Sequence, residues 1–568
     1  MARQFTLRFI LPLLVLSAVV FFTFARCRQN QFVNWDDPSE ISENIHFNPV
    51  TWPSLWWNWS NTQLTLYMPI TYMVWGGVAA AAARDSRGFL QPAAFHELNV
   101  LLHLLCAFLV FRLILQLTDR VLPALVGALL FAVHPLQVEA VAWASGMYTL
   151  LSTAFSLAAL IAYVSAVPAS GSRLKLSRFS LATFFYILAL LTKAASVSIV
   201  PAAGVIDVLV LRRPPRKSIR SLSLWIVLGL PIIFVAKSFQ DVSVIATPPI
   251  WFRPMVALDA LGFYLRKIIV PIRLIPDYGR NPTWVMQHPA AMLISAATAM
   301  MAILLAWAAR RRAVWITTGL GILLAGTGPY LGLTTFDFQY VSTVADRYAY
   351  FGMVGVALLA AGAAGRSRAA LAALLIAVAA CIPMSRTQVN RWHDTDTLFR
   401  YTLDVNANSL VSHGVFGFLA ASRGDFQLAE RDYQAALKVW PEDAKIHFNL
   451  GNLYLKQSAT SPSQRVSLLN NAIEHYTLAV KFQPRFVDYR NSLAAALDRI
   501  GQFDQAFEQW KEVIGQDPTD LDARNNLADM LARHGLNDRA KEEYRAVLRI
   551  DPKNAHATDG LRRIEAGK

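Results

Sequence analysis

The chain has 568 residues, 55% of them hydrophobic and only 16% charged, with a formal net charge of +15. Soluble domains carry roughly 25% charged residues, so this composition excludes a wholly water-soluble protein. The deficit lies before about residue 385, and that break divides the chain into an apolar part, 1–386, and an ordinarily charged part, 387–568. The basic residues cluster in short loops between apolar runs, which is a topology signal and not a nucleic-acid surface. Cys27, Cys106 and Cys381 have no metal-ligand spacing and form no disulfide framework.

From the N-terminus, an apolar run extends to Ala25 without a small-residue cleavage site, so it reads as an uncleaved first span. A bilayer crossing needs about 20 apolar residues. The chain offers eleven such stretches, at 5–25, 95–117, 121–142, 147–167, 179–195, 196–211, 221–239, 289–309, 313–333, 347–364 and 369–385. Two more, 67–83 and 257–272, are read as interfacial or re-entrant helices, with the alternative that both span, which keeps the later parity. With that count Arg3 and Arg8, then Arg173, Lys175 and Arg178, the 212–220 loop, Arg310 to Arg312, and Arg366 with Arg368 fall on one side. The positive-inside rule makes that side cytoplasmic. The loops 26–94, 134–146, 240–288 and 332–346 and the whole C-terminal part then face outward together.

Within the first outer loop, Asp36 and Asp37 follow Phe32-Val33-Asn34-Trp35 in an aromatic stretch close to the membrane. A carboxylate partly withdrawn from water there suits a general base. His96, Asn99 and His103 share one helical face of the second span, either lining a cavity or bonding neighbouring helices. His134 and Glu139 end the third span on the outer side. Lys193, and Arg347 in Ala345-Asp346-Arg347-Tyr348, are cations where topology does not favour them. Each is a candidate for holding a lipid phosphate, though Arg347 has Asp346 and Asp337 nearby as alternative partners. Walker loops, dinucleotide fingerprints and zinc-protease motifs do not occur.

Beyond the composition break, Pro484, Pro518 and Pro552 recur every 34 residues, the period of the tetratricopeptide repeat. Leu493-Ala494, Leu497, Gly501, Ala506, Trp510 and Pro518 match Leu527-Ala528, Leu531, Gly535, Ala540, Tyr544 and Pro552. Counting back gives about four repeats, the second with an insertion around 458–466, and a half-repeat at 398–408. Asn449, Ser492 and Asn526 stand immediately before the repeating Leu of their first helices, where amide and hydroxyl groups can bind extended peptide.

The double-Asp segment, Met68-Pro69-Ile70-Thr71-Tyr72, Phe95-His96 with Asn99 and His103, His134 to Trp143, Leu190-Leu191-Thr192-Lys193 and Asp346 to Tyr350 together resemble a known family. It comprises the transmembrane and tetratricopeptide-repeat O-mannosyltransferases and their bacterial relatives, of the lipid-sugar-dependent GT-C fold. The resemblance implies an all-α architecture, a polytopic transmembrane domain followed by a repeat solenoid, in a bacterial inner membrane. It implies a polyprenyl-phosphate-linked sugar as donor, an inverting transfer to protein hydroxyls, and Asp36 or Asp37 as base. His96, His134, Glu139, Lys193 and Arg347 are then the donor- and substrate-binding candidates. A metal is not obligatory, because the leaving phosphate is already activated. The chain departs from the family at Gly146-Met147-Tyr148-Thr149, where relatives carry a basic–acidic pair. Competing expectations are a ligase or polymerase of lipid-linked glycans, and a non-catalytic membrane scaffold.

Overall fold

The computed structural model describes residues 2–61, 66–167, 174–239, 248–310 and 313–566. Arg173, Arg311, Arg312 and part of the 240–288 loop lie outside the described residues. All regular structure among them is helical, apart from two isolated bridges, Phe47 with Val50 and Arg84 with Leu90. The chain divides into two compact units, Met1–Ala407 and Asn408–Lys568.

In the first unit, six helices are long and apolar enough to cross a bilayer: Phe9–Gln29, Ala93–Thr118, Ala144–Ala166, Pro215–Ser238, Pro289–Ala309 and Arg368–Arg391. Val121–Val133 and Pro135–Ala142 form a seventh candidate bent by 55°. The bend falls at His134-Pro135, since a residue before proline is driven to extended backbone. The four remaining predicted spans are shorter helices, Leu176–Thr192, Ala194–Val210, Val314–Thr327 and Met353–Ala364. They fall short because the chain leaves the α-helix around Lys193 and between Gly328 and Gly352. Such irregular backbone at membrane depth is tolerated only where protein or a cavity surrounds it. The two ambiguous stretches are the helices Pro69–Ala81, with 13 residues, and Arg253–Ile269, with 17. The thiols Cys27, Cys106 and Cys381 are free and buried.

The second unit is four helix pairs and a closing helix, Ala555–Glu565. The pairs are Leu410–Arg423 with Phe426–Val439, Ala444–Thr460 with Arg465–Phe482, Val487–Arg499 with Phe503–Gln516, and Leu521–Arg533 with Asn537–Ile550. Side-chain caps start several of them: Asp443 accepts from the Ile446 N–H at 2.8 Å, and Asp520 from that of Ala523 at 2.8 Å. The first two pairs each close on a tyrosine ring lying over a glycine, Tyr433 over Gly417 and Tyr476 over Gly451. A Cβ on Gly417 would sit 2.6 Å from the Tyr433 ring, so only glycine allows that approach. The insertion lengthens the second hairpin, whose helices run to 17 and 18 residues. The expected half-repeat is not part of the array. Its helix, Thr395–Val405, belongs to the first unit, where Leu398 and Phe399 are buried and Thr395 accepts a hydrogen bond from the Asn34 N–H at 2.9 Å.

Candidate active site

Two loops of the first unit are pinned together by Asp37. Its carboxylate accepts from the Val33 N–H at 2.8 Å, the Ser145 N–H at 2.9 Å and the Ser145 hydroxyl at 2.5 Å. The side chain is fully buried, and that burial pushes its pKa up to about 7 against the opposing pull of these three bonds. Glu40, also buried, is held well above the carboxylate range by burial and by the charge of Asp36. Asp36 itself is only half-buried, so of the three carboxyls it carries charge at the least desolvation cost.

The same loops stack their indoles. Trp35 lies on Trp143 with ring centroids 5.0 Å apart and planes 14° from parallel. Against this wall stands Arg347, its guanidinium 5.3 Å from the Trp35 ring, 5.5 Å from Trp143, 4.5 Å from Phe338 and 4.8 Å from Tyr348. Arg347 pairs with Glu139, which also accepts from the Arg347 N–H at 3.0 Å. Both are buried. The sequence offered Asp346 and Asp337 as partners, but Asp346 instead accepts from Tyr278 at 2.7 Å.

Lys193 sits where Leu176–Thr192 ends. Its ammonium donates to Thr149 Oγ1 at 3.0 Å and lies 4.6 Å from the Tyr148 ring and 5.3 Å from that of Tyr330. No carboxylate forms an ion pair with it among the described residues. Lys193 and Arg347 together line a small cavity of about 30 Å³. Its floor is a row of hydroxyls, Thr149, Ser152, Thr153 and Ser156, at the i, i+3, i+4, i+7 spacing of one helical face. Tyr330 and Tyr348 form a wall, with rings stacked 4.0 Å apart and 4° from parallel. Two basic side chains and several hydroxyls line it, with no carboxylate among the described lining residues, a set of groups that attracts an anion.

Asp36, Asp37, Glu139, Lys193 and Arg347 therefore converge on one region, through Tyr148, Trp143 and Ser145. The other candidates do not line the cavity. His134 spends its ring on the backbone, accepting from the Leu136 N–H at 3.3 Å and bonding the Ile268 carbonyl at 3.0 Å. His96 is fully buried within Ala93–Thr118. Its neighbours on that face hold helices together: Asn99 donates to the Trp143 carbonyl at 2.8 Å, and His103 bonds Tyr350 at 2.7 Å and the Ala132 carbonyl at 2.8 Å. The hydroxyl row and Glu40 escaped the sequence reading, although the Thr/Ser spacing on an otherwise apolar span was a visible signal. In the second unit, Asn449, Ser492 and Asn526 are half-exposed, with no hydrogen-bond partner among the described residues.

Among known families, a TPR repeat model matches residues 420–458 and a tetratricopeptide repeat model matches 488–555. Human protein O-mannosyl-transferase TMTC4 is 31% identical over 222 residues, which is 35% of this chain and 29% of that protein. Protein O-mannosyl-transferase F38B6.6 of Caenorhabditis elegans is 24% identical over 407 residues, 69% of this chain and 51% of that protein. The chain thus spans about half, or less, of the length of these curated relatives. Among solved structures, the repeat protein YrrB aligns at 19% identity with a TM-score of 0.25, covering 29% of this chain and 80% of its own. The chain is an all-helical, apolar protein with a tetratricopeptide-repeat region, and its relatives include the protein O-mannosyl-transferases.

Proposed function

We propose that the first unit transfers a sugar from a polyprenyl-phosphate-linked donor to a hydroxyl of an extracytoplasmic protein, and that the repeats recruit that acceptor. The observation carrying this reading is the hydroxyl-floored cavity lined by Lys193 and Arg347, together with the half-buried Asp36 on the loop that Asp37 ties to Ser145. The donor is a phosphodiester with one negative charge. Arg347 is neutralised by Glu139, which leaves Lys193 as the charge that matches it.

In the transfer, Asp36 takes the proton of the acceptor hydroxyl as its oxygen attacks the anomeric carbon. The bond from that carbon to the phosphate oxygen breaks on the opposite face, and polyprenyl phosphate leaves with the electron pair. Lys193 and the Arg347 fork stabilise the charge that develops on it. Asp37, locked by Ser145 and Val33, is a positioning residue that fixes the loop carrying Asp36. The phosphate is a competent leaving group without a metal. The basic-loop pattern supports an inner-membrane location with the N-terminus cytoplasmic and the repeats outside.

Asp36→Asn in purified protein tests the reading. It is expected to keep the melting temperature and to lose at least about 10²-fold in transfer from a polyprenyl-phosphate sugar, within the range of general-base contributions. Undiminished transfer by a folded Asp36→Asn would remove it as the base. Met147-Tyr148-Thr149, in place of a basic–acidic pair, favours a second reading as a scaffold. Wild-type protein that transfers no sugar from a panel of such donors would establish that one instead.

A further inference from the structure

A second cavity, of about 250 Å³, opens between the helices Arg253–Ile269, Pro289–Ala309 and Val314–Thr327. Its walls are apolar, with Leu261, Leu265, Ile303, Leu320 and Leu324 facing it. The Thr317 hydroxyl on its lining already donates to the Ala306 carbonyl at 3.1 Å. Among the described residues its one charged lining residue is Arg310. The guanidinium lies 4.0 Å from the Trp307 ring and spends one N–H on the Trp307 carbonyl at 2.6 Å. A guanidinium has five N–H groups, so donors remain for a ligand. In the sequence Arg311 and Arg312 follow.

Trp307 is 62% exposed, and a Trp–Arg pair at the end of a span marks the membrane interface. Ala302, also on the lining, lies eight residues back along the helix, about 12 Å deeper at 1.5 Å per residue. The cavity therefore runs from an interfacial cation into the hydrocarbon. Leu293, Ile294, Leu304 and Leu305 are exposed on the same helix, so lipid is the neighbouring medium.

We infer that this groove is a binding site for an anionic glycerophospholipid, with one acyl chain between the three helices and its phosphate on Arg310. Basic pockets between transmembrane helices bind such headgroups, and the apolar side chains lining the groove suit an acyl chain. Positive charge at the mouth favours an anionic lipid over a zwitterionic one. The donor's polyprenyl chain is the less suitable occupant. Arg310 precedes Val314–Thr327, whereas Gly326, in its last turn, and Tyr330, just beyond it, line the polar cavity. A phosphate on Arg310 would be about a helix length, ~21 Å, from Lys193.

Native mass spectrometry of the full chain in detergent tests the site, with dioleoyl phosphatidylglycerol and phosphatidylcholine offered in equal amounts. Wild type is expected to retain phosphatidylglycerol about tenfold over phosphatidylcholine, which corresponds to ~1.4 kcal/mol. Arg310→Gln brings the two within about twofold, and Ala302→Trp, which fills the groove, loses both. Ile303→Trp serves in its place if Ala302→Trp does not fold. Equal retention by wild type, or unchanged retention by a folded groove-filling variant, would overturn the inference. So would displacement of phosphatidylglycerol by a polyprenyl phosphate, which would give the groove to the donor. None of these outcomes depends on sugar transfer.

Discussion

Asp37 accepts three hydrogen bonds and meets no solvent, while its neighbour Asp36 is half-exposed. Burial prevails over the hydrogen bonds and holds Asp37 at about 7. Between its ordinary value and that pH the folded chain keeps a proton that the unfolded chain releases. Stability therefore falls as pH rises through the window, by up to about 1.4 kcal/mol per unit. The melting temperature of wild type is expected to be lower at pH 8 than at pH 5. Because Glu40 is raised too, the difference between wild type and Asp37→Asn isolates Asp37, and it should shrink as the pH falls. Lys193→Gln is expected to cut transfer by about 10²–10³-fold, the scale of losing one preorganised charge stabiliser. Lys193→Arg should restore part of it, as measured by initial rates.

Lys193, Arg347 and the double Asp were legible in the sequence because charge next to an apolar span is costly and needs a reason. Their pairings were not. Glu139 and Arg347 are 208 residues apart, and Asp37 and Ser145 are 108 apart. No local pattern records which distant loops meet.

At the scale of elements, the repeat helices were the most legible part, since a 34-residue period repeats both the buried positions and the breaks. The membrane helices were legible as apolar runs but not in length. Hydropathy continues through Lys193–Ser198 and the predicted span ends at 328–333 and 347–352, where the backbone has left the α-helix around the cavity. The helix Thr395–Val405 was misread because its amphipathic pattern suits any helix pair, and only packing shows which unit it serves. In the array, Asn449, Ser492 and Asn526 are half-exposed and their side chains hydrogen-bond no other described residue. The triple alanine variant should keep its melting temperature, because no internal bond is lost. It should raise KM for a protein acceptor several-fold while leaving transfer to a short hydroxyl acceptor unchanged, a split that steady-state kinetics with the two acceptors would read. Equal KM values for wild type and variant would remove these positions from acceptor binding.

For the whole molecule, the proposed orientation puts the 211–220 loop in the cytoplasm and the repeats outside. A single cysteine introduced in that loop is expected to resist an impermeant thiol reagent until the membrane is breached. One at Asn554 should react as soon as the reagent reaches the outer face. Interchanged reactivities would invert the orientation, and Asp36 with it. The experiment gains from the placement of the chain's own thiols. Cys27, Cys106 and Cys381 are all buried and unbridged. The natural sequence thus supplies its own silent background: any label on the folded wild type reports opening of the bundle, and each introduced thiol speaks for its own position.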